Sequence, residues 1–413
     1  QKLVKQYPKS DYADDALYEM ARAYLQLNNN DAAIRSYERL LSQYPHSNKA
    51  RKAALEKGMI YYNQQNYTKA IESYKQVIKN YPGSEEAYSA LDGLESAYVE
   101  TNNVSEYIAY TKQLGKQNMK IDSKEDSLTF VAAERQYILQ NYQQAVAGLS
   151  KYLSQYCDGG RYCTMAQYYA ADSYYRLGQK KEALEEYDKL SSIAGNPYME
   201  EALTRAAEIT YDEEDYNRSL AYFKRLQTIA GSIATMNMAR LGVLRCSYYL
   251  KDNMTTINVA SQILEDVASS AEVQKEARYN RAKAYYALSD LDLAEKDFSM
   301  LSEEVRTQAG AESKYMVCLI ALEKKEIDRS EAEIMSFAGM NTQHQYWLAK
   351  SFILLADIYL QRGDTFQAKQ YLLSLKSNYR NTEDGIHSEV NEKLQLIEDR
   401  EKETIKDEEN EED

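Results

Sequence analysis

The sequence predicts an all-α chain, an α-α superhelix of about ten helix-turn-helix repeats. Three observations predict it. Glycine (15) and proline (4) are scarce over 413 residues, too few turn formers for a β-rich chain. Alanine, leucine, glutamate, lysine and glutamine, all strong helix formers, dominate. A fixed spacing then runs through the chain: Tyr7-Pro8, Tyr44-Pro45 and Tyr81-Pro82 each recur after 37 residues, a period typical of helical arrays.

Each of these prolines is followed two residues later by Ser10, Ser47 or Ser84. Proline disfavours helix at the residue before it, and serine offers a cap to the helix that follows. The motif therefore marks one helix ending and another starting. Between the marks, Leu17, Met20, Ala21 and Tyr24 recur at helical spacing. Asn28-Asn29-Asn30-Asp31 interrupts them, and Ala33, Tyr37 and Leu40 resume the pattern in a second helix.

The register extends along the chain. The small position of the first helix falls at Ala21, Gly58, Glu95, Ala133, Ala171, Ala207, Leu244, Ala282, Leu319 and Ala356. Twelve residues later come Ala33, Ala70, Tyr107, Ala145, Ala183, Ser219, Thr256, Ala294, Glu331 and Ala368. Bulky residues follow, such as Tyr37 and Leu40, Tyr74 and Val77, Tyr187 and Leu190, Phe298 and Leu301, and in the ninth repeat Met335 and Ala338. Two helices crossing closely need a small residue at the crossing, because a larger one overpacks by roughly 1–3 kcal/mol. One pair cannot cover its own apolar face, so stability depends on stacked neighbours.

These residues resemble the tetratricopeptide repeat (TPR) family. The likeness rests on a small residue with tyrosine three later (Ala21 and Tyr24, Gly58 and Tyr61, Ala171 and Tyr174, Ala282 and Tyr285, Ala356 and Tyr359), the alanine–aromatic–leucine series and the closing proline. Repeats three, seven and nine depart from it with Glu95, Leu244 and Glu331 at small positions. The Tyr-Pro-x-Ser junction is similar to repeats of bacterial cell-envelope proteins, such as the outer-membrane assembly lipoprotein and the Tol–Pal coordinator. The resemblance implies a TPR solenoid over residues 11–380. Residues 1–10 align with the end of a second helix and read as the close of a truncated preceding repeat in a longer array. Residues 381–400 are expected to form a C-terminal capping helix, and 401–413 an acidic disordered tail.

Composition narrows the function. The net charge is −14, and half of it lies in Glu398 to Asp413. Without a basic stripe, nucleic acid is not an expected partner. No apolar run of 18 residues is present, so no transmembrane segment is expected. His46, His344 and His387 are scattered, and no phosphate-cradling loop or nucleophile elbow occurs. Pairs such as Glu185-Glu186 and Glu213-Glu214 read as solvated charge. No enzymatic activity, cofactor, metal or small-molecule ligand is therefore expected. Cys157 and Cys163 enclose five residues. In an oxidising compartment they can close a disulfide loop, and in a reducing one they are two thiols at a repeat junction. Cys246 and Cys318 read as small core residues.

Tyrosine is the outlier, at 39 residues. In TPR proteins the first helices line a concave groove that holds ligands. The positions implied to face it lie three before and four after the small residue. They hold Tyr18, Phe130, Tyr168 and Tyr279, then Tyr62, Tyr137, Tyr175, Tyr211, Tyr248 and Tyr286. Tyrosine suits peptide contact because it buries area with little entropy loss, and the same rings also suit packing between neighbouring first helices. The carboxylate clamp of chaperone-binding members is missing, since Tyr18, Arg22, Leu55 and Met59 stand at its places. The expected function is a non-enzymatic scaffold that binds a protein or extended peptide in this groove. Its expected location is periplasmic or in the cell envelope, with the cytoplasm as the alternative. A structural subunit of a secretion or motility complex and an accessory region of a larger enzyme are the rival readings. A glycan-binding role needs an aromatic platform, for which only Trp347 is a candidate, and core packing explains Trp347 more simply.

Overall fold

The computed structural model describes residues 2–115, 125–158 and 160–411, with side chains as far as 402. Among them there are 22 helices and no strand. The chain divides into two compact units, 1–205 and 206–413. The first opens with α1 (Lys2–Gln6) and continues with α2 (Ala13–Gln26), α3 (Asn30–Gln43), α4 (Asn48–Asn63), α5 (Tyr67–Asn80), α6 (Glu85–Glu100), α7 (Val104–Gly115), α8 (Glu125–Ile138), α9 (Tyr142–Tyr156), α10 (Cys163–Arg176) and α11 (Lys180–Ser192). Helix α12 (Met199–Asp212) contains the boundary. The second unit adds α13 (Tyr216–Ile229), α14 (Ile233–Tyr249), α15 (Asn253–Glu265), α16 (Ala271–Ala287), α17 (Leu291–Leu301), α18 (Gln308–Glu323), α19 (Ile327–Gly339), α20 (Gln345–Gln361), α21 (Thr365–Asn378) and α22 (Ile386–Glu411). Each even-numbered helix from α2 to α20 opens a repeat. Within each unit, consecutive helices pack antiparallel and each pair leans on the next, as a TPR superhelix requires.

The turn inside each pair carries the period most sharply. One residue per turn adopts positive φ: Asn28, Gln65, Asn102, Gln140, Gly178, Glu214, Lys251, Ser289, Lys325 and Gly363. A left-handed residue ends a helix by turning the chain back. Asn29, Asn66, Asp215, Asp252, Asp290 and Asp364 then accept a backbone N–H of the following helix. Between pairs, Ser47 and Ser84 cap α4 and α6 as the junction motif predicts. Ser10 differs. Helix α2 starts three residues later, and the Ser10 hydroxyl accepts the Tyr12 N–H at 3.3 Å, short of the helix.

These turns correct the ninth repeat. In the other nine repeats the left-handed residue sits seven after the small residue, so Lys325 places the small residue at Cys318 and not at Leu319. Cys318 is fully buried, and Ser330, twelve residues on, donates from its hydroxyl to the Cys318 carbonyl at 2.7 Å. The same bond joins Ser219 to Ala207 at 2.9 Å. The bulky positions become Ile334 and Phe337, both fully buried, while Met335 is half exposed. Repeats three and seven keep their register and accommodate the large residue. The Tyr107 hydroxyl donates to Glu95 at 3.1 Å, and Leu244 is buried beside Gly242 and Ser247.

Glycine is needed where a bulky ring meets a neighbouring backbone. A Cβ added at Gly58 would lie 2.6 Å from the Tyr74 ring, and one at Gly93, in the next repeat, also 2.6 Å from it. Tyr74 is thus held between two first helices.

Beyond the last pair, Ile386, Val390, Leu394 and Ile397 of α22 are buried with Ala356, Ala368 and Leu372. Lys350–Glu389, Lys393–Asp357 and Lys369–Glu401 ion pairs fasten the same helix. Helix α22 continues to Glu411, into the segment that the sequence suggested as a tail. Glutamate and lysine have high helix propensity, and Lys402 pairs with Asp399 one turn earlier. Residues 412–413 lie outside the described part.

Candidate functional site

The ten candidate rings occupy first helices in both units, and most reach forward to the next repeat. The Tyr18 hydroxyl on α2 donates to Glu56 on α4, which also accepts from Tyr37. Tyr137 on α8 donates to Asp172 on α10 at 2.9 Å, and Tyr168 on α10 donates to Glu201 on α12 at 2.9 Å. In the second unit, Tyr279 on α16 donates to Glu312 on α18 at 2.6 Å, and Tyr286 donates to Glu323 at 2.7 Å. A neighbouring first helix is thus tied by area and by one charge-assisted bond, the stronger kind. Burial first, and the carboxylate second, hold these five hydroxyls well above the ordinary phenol range. Burial raises Tyr211 to about 12.

Exposure separates the candidates. Tyr18 and Phe130 are buried, at 7% and 2%. Phe130 stacks on Tyr162 at 4.6 Å and meets the edge of Tyr152 at 5.6 Å. The other eight are half-buried. Tyr137 stacks on Tyr169 at 4.4 Å, and Tyr168 on Tyr198 at 4.2 Å, so α8 and α10 carry a continuous aromatic band. The Arg205 guanidinium lies 4.9 Å from the Tyr175 ring centre. Tyr62 meets Tyr67 at 5.4 Å, Tyr211 meets Tyr216 at 5.4 Å, and Tyr248 meets Tyr249 at 5.7 Å.

Sequence reasoning missed some members. Tyr169 and Tyr198 bridge the band from positions outside the chosen register. With Cys318 as the small residue, Tyr315 is the three-before position of the ninth repeat. It is a half-buried ring 5.5 Å from Trp347. The signal that finds it is the turn: Lys325 ends its helix one residue earlier than the regular count predicts.

Cys157 and Cys163 are bonded, with Cα atoms 5.4 Å apart. They join the end of α9 to the start of α10, beneath Tyr152, whose hydroxyl accepts the Tyr162 N–H at 3.2 Å. Gly159, inside this loop, lies outside the described residues. Cys246 and Cys318 are free and buried. Among the described residues, no three His, Cys, Asp or Glu side chains come together as a metal-binding group. No described helix is long and apolar enough to cross a membrane.

Comparison with known proteins follows the same geometry. Tetratricopeptide-repeat models match residues 18–85, and again 165–193 and 345–382. No curated protein sequence matches the chain. Among solved structures, a tetratricopeptide repeat protein from Parabacteroides merdae is 13% identical, with 93% of this chain and 98% of that one covered and a TM-score of 0.24. PilW, a type IV pilus biogenesis factor, is 17% identical over 64% of this chain and 98% of its own, with a TM-score of 0.28. A structure of Naa15/Naa10 bound to HypK-THB is 15% identical over 94% of this chain, with a TM-score of 0.38, and the chain spans only 61% of that protein's length. These likenesses are distant in both sequence and superposition. Repeat models thus match near the beginning, middle and end of a chain built from successive helix pairs, and residues 18–85, 165–193 and 345–382 carry tetratricopeptide repeats.

Proposed function

We propose that the chain is a non-enzymatic interaction scaffold of a bacterial cell envelope. It takes a protein or an extended peptide in a concave groove lined by the tyrosines of its first helices. The observation that carries this reading is the aromatic band on α8 and α10. Tyr137 and Tyr168 are fixed at the hydroxyl by Asp172 and Glu201 and at one face by Tyr169 and Tyr198, while part of each ring stays exposed. A ring already held in place loses little freedom when a partner covers it, so contact area converts efficiently into affinity. The envelope is supported by the Tyr-Pro-x-Ser junction and by the bonded Cys157–Cys163 pair, because disulfides persist in oxidising compartments.

Two experiments test the reading. Partner recovery from envelope extracts is compared between the native chain and Tyr168→Ala/Tyr175→Ala, with folding checked by circular dichroism. A folded double variant that recovers every partner at the native level removes the groove from the proposal. For the compartment, thiols are alkylated under denaturing conditions directly after lysis in acid. Two labelled cysteines, Cys246 and Cys318, are expected, and four would place the chain in a reducing compartment.

A further inference from the structure

A cleft of about 760 Å³ opens in the second unit, away from the tyrosine band. It lies among the start of α18, the segment leading into α20 and the loop after α21. Its volume falls within the range of small-ligand sites, roughly 300–1,000 Å³. The wall is unusual for its amides: Gln308, Gln343, Gln345, Asn378 and Asn381 all border it. Trp347, Tyr346 and Tyr379 supply aromatic rings. Its formal charges, Arg380 and Asp384, cancel.

Part of this wall is already committed. The Gln345 amide donates to the Thr342 carbonyl at 2.9 Å, and that of Asn378 to the Ser374 carbonyl at 2.9 Å. The Tyr379 hydroxyl donates to Asp384. These bonds hold the cleft's shape. In contrast, the Trp347 indole N–H, the Tyr346 hydroxyl, the Gln308 and Gln343 amides and the Arg380 guanidinium have no hydrogen-bond partner among the described residues. Trp347 is itself held, with Val305, Ala311 and Phe337 packed beneath it and the Tyr346 ring edge-on at 4.9 Å. A second hollow of about 260 Å³, lined by Leu348, Phe352 and Tyr371, shares Gln345, Asn378 and Tyr379 with the first.

We infer that this cleft binds a neutral oligosaccharide. Carboxamides both donate and accept, and so do sugar hydroxyls. Cancelling charges give no preference for a polyanion. A fixed indole beside a phenol offers apolar surface with a polar edge, which suits a sugar ring with its apolar C–H face and hydroxyl rim. The adjoining apolar hollow extends the site beyond a single ring. This goes beyond the scaffold reading and does not depend on it, because no groove tyrosine lines the cleft. It also revises the expectation of no small-molecule ligand, since Trp347 is both a packing residue and part of an open wall.

The test uses the chain's single tryptophan, so its fluorescence reports this cleft alone. The full chain is titrated with the hexasaccharides of α-1,4-glucose, β-1,4-glucose, β-1,4-xylose, β-1,4-mannose and β-1,4-N-acetylglucosamine, and with a neutral Gly-Ser peptide. At least one sugar is expected to shift the emission saturably while the peptide does not. Gln343→Ala/Arg380→Ala, two exposed positions, should weaken that binding at least about tenfold, the loss expected when hydrogen bonds are removed, with an unchanged circular dichroism spectrum. No saturable response to any sugar up to about 10 mM overturns the inference. So does equal affinity in the double variant, or saturation by the peptide alone.

Discussion

Substituting Gly93 by alanine should destabilise the chain, although alanine is the better helix former. In a free helix the change gains about 1 kcal/mol. Here the new Cβ would lie 2.6 Å from Tyr74 Cζ and 2.9 Å from Cε2. The ring cannot retreat, because its other side lies against Gly58, where an added Cβ would also approach to 2.6 Å. Tyr74 is only 2% exposed, so it has no route to solvent. Overpacking of this kind costs typically 1–3 kcal/mol, which against that gain leaves a net loss of up to about 2 kcal/mol. Gly339 is the control. It ends α19, has no positive φ, and an added Cβ there meets nothing within 4 Å, so Gly339→Ala should stabilise by about 0.4–1 kcal/mol. Array stability is spread over neighbouring repeats, so the readout should be local. Amide hydrogen exchange in α4 to α6 serves for Gly93→Ala, and in α19 and α20 for the control. Adding Tyr74→Leu to Gly93→Ala should recover part of the loss, as a coupling energy between touching residues. Slower exchange in Gly93→Ala, or strictly additive effects of the two substitutions, would refute the argument.

The corrected register of the ninth repeat predicts that Phe337→Ala costs about 3–5 kcal/mol in urea unfolding while Met335→Ala stays within about 0.5 kcal/mol; the reverse order restores the regular count. Tyr187 is fully buried with no hydrogen-bond partner for its hydroxyl among the described residues, so Tyr187→Phe should be neutral or stabilise by up to about 1 kcal/mol. Tyr279→Phe, by contrast, leaves Glu312 with Lys283 alone at 2.7 Å and should cost about 1.5 kcal/mol. Stability should also fall in alkali. Raised folded-state pKa values at Tyr18, Tyr137, Tyr168, Tyr279 and Tyr286 mean that their contribution is complete below the unfolded value near 10. Above it the unfolded chain releases protons that the folded chain keeps, so stability declines with rising pH. Phenolate absorbance should therefore rise cooperatively with loss of helix, and a gradual rise at constant helicity would contradict this.

The period, the helix pairs and most crossing residues were legible in the sequence because the packing that fixes them is local. Ala21 and Ala33, or Ala171 and Ala183, must be small wherever two antiparallel helices touch, and their neighbours must be large. The ninth repeat was misread because its turn comes one residue early, and turn conformation is weakly written in side chains. Eight of the ten left-handed turn residues are not glycine. Glu214, Lys251 and Lys325 carry no such signal, and the array imposes the conformation on them. The candidate rings were legible as positions but not as bonds. Nothing in Tyr168 alone indicates that Glu201, a repeat away, accepts its hydroxyl. The cleft beside Trp347 was invisible for a related reason. Its wall comes from three segments, at the starts of α18 and α20 and the end of α21, whose order along the chain says nothing of their distance.

Tyrosine in place of phenylalanine or leucine on the first helices follows from what a solenoid must control. Apolar packing holds neighbouring repeats together but is non-directional, so it sets their relative angle weakly. A hydroxyl at the far end of a six-membered ring adds a second, directional attachment point. Tyr137 to Asp172, Tyr168 to Glu201 and Tyr279 to Glu312 are such attachments. Each resists rotation of one repeat against the next. Phenylalanine keeps the area and loses the direction, so Tyr→Phe changes at these positions should loosen the angle between repeats more than they lower the unfolding midpoint. Small-angle scattering of Tyr137→Phe/Tyr168→Phe, set beside its urea midpoint, separates the two effects. A broader distribution of dimensions with a small shift in midpoint is the expected result, and unchanged scattering with a large shift would show that the hydroxyls only add stability.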